Sequence, residues 1–143
     1  MISSDLARLI DAVHREKNIL RQTVERERER LASDSQTHTR VQMLEISKIV
    51  RDQNEVVMEA REAAELLAEE GSTVVFPAIV EDMIGDMENV AGRLTEGRTA
   101  VYTQQIETDI IATLEELIEA LKEEQERRGG QGGGEGIEIT SLV

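Results

Sequence analysis

The sequence predicts an all-α protein: an antiparallel helical bundle of four unequal helices, about 5–31, 37–70, 77–94 and 100–128, with a projecting coiled-coil hairpin formed by the first two. Three observations carry this expectation. The composition is 39% hydrophobic and 32% charged but only 1% aromatic, with a single proline, which is the profile of long helices and not of sheets. Apolar residues recur three and four apart over most of the chain, the period that gathers side chains on one helical face. The pattern breaks in three short stretches, 32–38, 71–76 and 95–98, leaving four periodic segments.

The first segment opens with Ser3 or Ser4 as N-cap and Asp5 placed well for the helix dipole. Its seam runs Leu6, Ile10, Val13, Lys17, Leu20, Val24, Glu27 and Leu31, a heptad pattern with two charged intruders. The mixed-sign run Glu25 to Arg30 reads as a solvated face. Ala32 to His38 holds no Gly or Pro, yet its Ser, Asp and Thr side chains compete for backbone hydrogen bonds. The seam resumes out of phase at Met43, Ile46, Val50, Gln53, Val57, Ala60, Ala64 and Leu67, which favours a hairpin turn over one continuous helix. A turn centred near residue 35 sets Lys17 opposite Asp52 and Gln53, and Glu27 opposite Arg40 and Gln42. The polar residues interrupting both seams would then meet in a register-setting polar layer of Lys17, Asp52, Gln53, Glu27 and Arg40.

Gly71 stops the second helix, and Pro77 is expected in the first turn of the third. The third seam is Phe76, Val80, Met83, Met87, Val90 and Leu94; Gly85 and Gly92 on this helix suggest close approach of a neighbour. Being short, the third helix should cover only the later half of the second, leaving the first pair to project. Gly97 ends it and Thr99 caps the fourth helix, whose stripe is Ile106, Ile110, Ile111, Leu114, Leu117, Ile118 and Leu121, with Glu107, Glu115, Glu119 and Glu123 assigned to the solvent face. Residues 1–128 thus form one helical bundle domain, and 129–143 a Gly-rich flexible tail.

The formal charge of −14 is uneven: residues 1–32 carry 7 basic and 6 acidic side chains, so the remainder holds −15. Nucleic-acid binding, which needs clustered Lys and Arg, is disfavoured. The absence of cysteine removes disulfides, thiolate metal sites and thiol nucleophiles. The longest apolar run, Val74 to Val80, is too short to span a bilayer, so no direct membrane insertion is expected. With no visible signal peptide the chain reads as cytoplasmic, unless it is a fragment of an envelope protein. A di-iron bundle needs two Glu-x-x-His motifs, and only Asp11-Ala12-Val13-His14 approaches one. His14 and His38 read as surface residues, and Glu81, Asp82, Asp86 and Glu88 as a solvated face. No cofactor, metal or catalytic residue is expected, and the chain is not expected to be an enzyme. One short motif stands apart: the terminal Thr-Ser-Leu-Val fits a PDZ-type ligand, with Ser141 and Val143 in the motif.

The segment 77–136 resembles a region of large uncharacterised bacterial coiled-coil proteins that are envelope-associated. The shared features are EDMIGDMENVAGRL, a Thr-rich turn, Thr103-Gln104, the pattern D-I-I-x-x-L-x-x-L-I from Asp109 to Ile118, and a glycine-rich break. This chain departs from the pattern at Thr99-Ala100, where such proteins carry Thr-Gly. The resemblance implies a scaffolding context and a native chain continuing past Val143. Together these readings lead to a non-catalytic helical interaction or scaffolding domain, part of a larger protein or assembly, engaging a protein partner or itself through helical seams. The alternative is a small acidic adaptor or chaperone-like protein that binds a partner's apolar or basic segment.

Overall fold

The computed structural model describes residues 3–71 and 75–132. They form four helices: α1 (Ser4–Ala32), α2 (Arg40–Glu69), α3 (Val75–Thr95) and α4 (Val101–Gly132). Each packs only against its neighbours in a ring: α1 against α2 and α4, and α3 against α2 and α4. This is an up-down-up-down bundle, the arrangement that short connections favour.

Local chemistry explains where the helices begin and end. Ser3 caps α1, its hydroxyl oxygen accepting from the Leu6 amide. Thr39 starts α2 with a reciprocal capping box: its hydroxyl accepts from the Gln42 amide at 3.1 Å, and the Gln42 side chain accepts from the Thr39 amide at 2.8 Å. The chain reaches that cap through Gln36, whose φ of 56° is left-handed. α3 begins at Val75, two residues before Pro77, so the proline still lies in the first turn, where its missing N–H has no intrahelical partner to lose. α3 ends in a Schellman motif: the Arg98 amide donates to the Arg93 carbonyl and the Gly97 amide to the Leu94 carbonyl, both at 2.9 Å, with Gly97 at φ 76°.

The stripes of α2, α3 and α4 are buried much as their periodicity predicts. Ile46, Gln53, Val57, Ala60, Ala64 and Leu67, then Val80, Met83, Met87, Val90 and Leu94, then Ile106, Ile110, Leu114, Leu117, Ile118 and Leu121 all line the core. Phe76 belongs to the same expected seam, but its side chain lies outside the described set. α1 differs. Its inward side chains are Leu6, Leu9, Ala12, Val13, Glu16, Ile19, Thr23 and Glu27, while Ile10, Leu20 and Val24 are only half-buried, and Lys17 and Leu31 are exposed. A heptad seam describes contact with one partner helix. Because α1 touches two, its inward direction falls between two seams, and polar residues are drawn inside with the apolar ones.

Three expectations change. The hairpin of α1 and α2 does not project, because its turn meets the turn between α3 and α4: Gly97 sits against Met43 and His38, and Thr99 bonds His38. α2 starts later and α3 earlier than expected, so that they run 30 and 21 residues. Gly85 and Gly92 are not points of close approach, since a Cβ added at either meets nothing within 4 Å. α4 also continues to Gly132, past Arg128, so the helix takes in the start of the glycine tract; the rest of the expected tail lies outside the described residues.

The two kinds of glycine should respond oppositely to alanine. Gly85→Ala and Gly92→Ala should each raise the free energy of unfolding in urea by about 0.5–1 kcal/mol, the helical propensity difference alone. Gly97→Ala should lower it by about 1–2 kcal/mol, because it forces a left-handed alanine and places a Cβ 3.2 Å from the Met43 sulfur.

Candidate functional site

The interior of the bundle is not purely apolar. Glu16 and Thr23 of α1, Gln53 of α2 and Glu107 of α4 are each 0% exposed. The Gln53 amide Nε2 donates to Glu16 Oε1 at 2.8 Å. The Thr23 hydroxyl lies 2.7 Å from Glu107 Oε2 and 2.9 Å from the Ile19 carbonyl. Each carboxyl is therefore satisfied at one oxygen only. Glu16 Oε2, Glu107 Oε1 and Gln53 Oε1 are buried with no hydrogen-bond partner among the described residues. Burial pushes the Glu16 carboxyl up to about 7 from 4.5, against the opposing hydrogen bond from Gln53. Burial likewise pushes Glu107 up to about 8, with the Thr23 hydrogen bond opposing and the nearby Glu16 charge reinforcing. Two carboxyls in such an environment hold protons near neutral pH. No three His, Asp or Glu side chains gather to hold a metal ion among the described residues.

The polar layer expected from the sequence is placed differently. The register is nearly kept, for Gln53 is buried against α1, but its partner is Glu16 and not Lys17. Lys17 faces α4 instead, its Nζ 3.2 Å from Glu115 with both side chains half-exposed. Asp52 stands at the outer edge of α1–α2, in a shallow groove shared with His14, Arg15 and Asn18. The rotation of α1 toward two partners accounts for both changes, since one residue along a helix turns the side chain by about 100°. Ion pairs line the outer side of this seam: Arg8 with Glu62 at 2.7 Å, Arg15 with Glu55, and Arg26 with Glu45 at 2.6 Å.

Glu27 also finds other partners than Arg40, which is exposed at the first residue of α2. Arg30 grips Glu27 through two bonds of 2.9 and 2.7 Å and donates to the Gln36 carbonyl at 2.9 Å, pinning the first turn. Thr99 donates its hydroxyl to Glu27 Oε1 at 2.8 Å and sits 2.9 Å from His38 Nε2. A hydroxyl has one proton, so His38 must donate from Nε2. Arg30, foremost, holds the Glu27 carboxyl below its ordinary range, helped by Thr99 and the nearby His38, against the opposing effect of burial. Thr99 is thus a bridge between the two turns and not the cap of α4. His38, expected at the surface, is half-buried in the same network.

Sequence periodicity misses Glu16, Thr23, Glu107, Thr99 and His38 because it counts apolar residues. The signal for Glu107 is present nonetheless: Thr103, Glu107, Ile110, Leu114, Leu117 and Leu121 step by fours and threes, and all six are buried. Around the joined turns, Leu31, Val41, Leu44, Val101 and Tyr102 remain 55–65% exposed. Ser141 and Val143 lie outside the described residues. Comparison of the chain with protein-family models, with curated proteins and with solved structures finds no match. No described helix is long and apolar enough to cross a membrane.

Thr99→Val should lower the unfolding free energy by about 1–3 kcal/mol, since it leaves Glu27 Oε1 and His38 Nε2 without their shared partner. Lys17→Ala, which removes only an exposed ion pair, should change it by less than about 1 kcal/mol. Chemical denaturation of both variants at one pH checks the contrast.

Proposed function

We propose that this chain is a non-catalytic helical interaction domain, and that its contact surface is the end of the bundle carrying the two joined turns. The observation that carries this reading is the placement of exposed large apolar side chains. Leu31 belongs to the last turn of α1, Val41 and Leu44 to the first turns of α2, and Val101 and Tyr102 to the first turn of α4. Only Met58 of the exposed large apolar side chains among the described residues lies elsewhere. Large apolar residues left in water at one end of a molecule are a common mark of a protein contact, and completing the burial of each contributes roughly 1–2 kcal/mol. The end is also built for rigidity, since Glu27, Arg30, His38 and Thr99 tie the last turns of α1 to both connecting turns there. A pre-ordered surface loses little conformational entropy on binding. The partner is a protein, either a second copy of this chain or another helical protein.

Sedimentation over a range of concentrations, with pull-down from the native source, tests this reading. The expected result is a species heavier than 16.0 kDa or a defined protein partner, lost in a Leu44→Glu, Tyr102→Glu double variant that keeps the same helical circular dichroism. A wild-type chain that stays strictly monomeric and retains no partner overturns the reading.

A further inference from the structure

We propose that α4 is latched to the bundle by protons: Glu16 and Glu107 are neutral in the closed structure, and their ionisation loosens the seam between α1 and α4. The geometry supplies the argument. Glu16, Gln53 and Glu107 each present one buried oxygen without a donor among the described residues, and Thr23 has only one hydroxyl proton to share. A proton on each carboxyl turns it from an acceptor-only group into a donor, which is what this cluster lacks.

No cation among the described residues is in place to do the same. From α2, the group facing Glu16 is the neutral Gln53, and the charged residues Asp52, Glu55 and Glu59 stand at the outer edge with Arg15. On α1, Arg8, Arg15, Lys17 and Arg26 are engaged by Glu62, Glu55, Glu115 and Glu45 along the outer seams. From α3, Arg93 reaches α4 but donates to Thr103 at 2.9 Å and lies over the Tyr102 ring. The core side chains of α3 are apolar: Val80, Met83, Ile84, Met87, Val90 and Leu94. Glu16 lies near enough for its charge to push the Glu107 carboxyl up further, with no cation beside either to offset it. α4 is the element that can yield, because of the four helices it packs most sparsely on its neighbours. This latch is independent of the docking surface at the turns.

The sign follows from the folded carboxyls lying above their ordinary 4.5. Their contribution to stability is complete below about 4.5 and is lost as pH rises through about 7 for Glu16 and about 8 for Glu107. Over that window each carboxyl multiplies the unfolding constant by up to about tenfold per pH unit. Glu59 is also raised to about 7, chiefly by burial and then by Asp11, so wild-type stability alone does not separate the groups. Variants do.

The experiment combines three readouts on the full chain. Carboxyl carbon-13 NMR should show Glu107 titrating near or above neutrality. Spin labels at Lys17→Cys and Glu115→Cys, an exposed pair across the seam, should report a short distance at pH 6 and a broadened, longer one at pH 9. Glu107→Gln should hold the short distance at pH 9 and flatten the pH dependence of urea unfolding, and Glu16→Gln should do so in part. If Glu107→Gln does not fold, the wild-type titration and Glu16→Gln still decide. A Glu107 titration near 4.5, or one seam distance at both pH values, overturns the latch. So does closure of the seam at pH 9 by added sodium or calcium, which would make the cluster a cation site.

Discussion

α1 has to serve two neighbours at once, and much of the structure follows from that constraint. A helix with one partner can present a narrow apolar seam. A helix wedged between α2 and α4 must bury a wider arc, and on α1 that arc includes Glu16, Thr23 and Glu27. None of the three can be buried without an acceptor or donor from another element. Glu16 takes Gln53 from α2, Thr23 meets Glu107 from α4, and Glu27 receives Thr99 from the turn preceding α4. The polar residues of one helix thereby specify the position of two others. Apolar contacts are non-directional and allow sliding; these bonds do not.

The four-helix architecture and most of the core are legible in the sequence. For α2, α3 and α4 the apolar period coincides with the buried stripe, because in those helices large apolar residues occupy most of the inward positions. The turn at 33–39 is legible from the shift in phase, although its capping box, Thr39 with Gln42, is not visible from hydrophobicity. α1 is where the reading fails by one position. Ile10, Leu20 and Val24 outweigh Glu16 and Thr23 on any hydrophobic scale, so the apolar seam is drawn on the flank of the helix and Lys17 is placed inside. Only the presence of a second neighbour, which is a tertiary fact, turns the helix and exchanges Lys17 for Glu16. Thr99 and His38 are missed for a related reason: their roles depend on two turns meeting across 61 residues of chain.

The polar networks around Glu27 and around Glu16 and Glu107 have opposite electrostatic character. At the turns, Arg30 keeps Glu27 ionised and compensated, so burial there is offset by a cation and a bidentate bond. In the middle, Glu16 and Glu107 have neutral donors alone, and burial drives them toward the protonated form. A carboxylate with a guanidinium fixes geometry over a wide pH range, whereas a carboxyl with only an amide or hydroxyl fixes it conditionally. The two junctions lie about 11 residues apart on the same helix, from Glu16 to Glu27.

The near absence of aromatic residues has an optical consequence. Tyr102 is the only tyrosine and there is no tryptophan, and this one ring is more than half exposed beneath the Arg93 guanidinium, where the end of α3 meets the start of α4. Tyrosine emission from this protein therefore reports on a single junction and is blind to the aliphatic core. A change in that signal reads out the joined turns, while loss of the core has to be followed by the helical backbone itself.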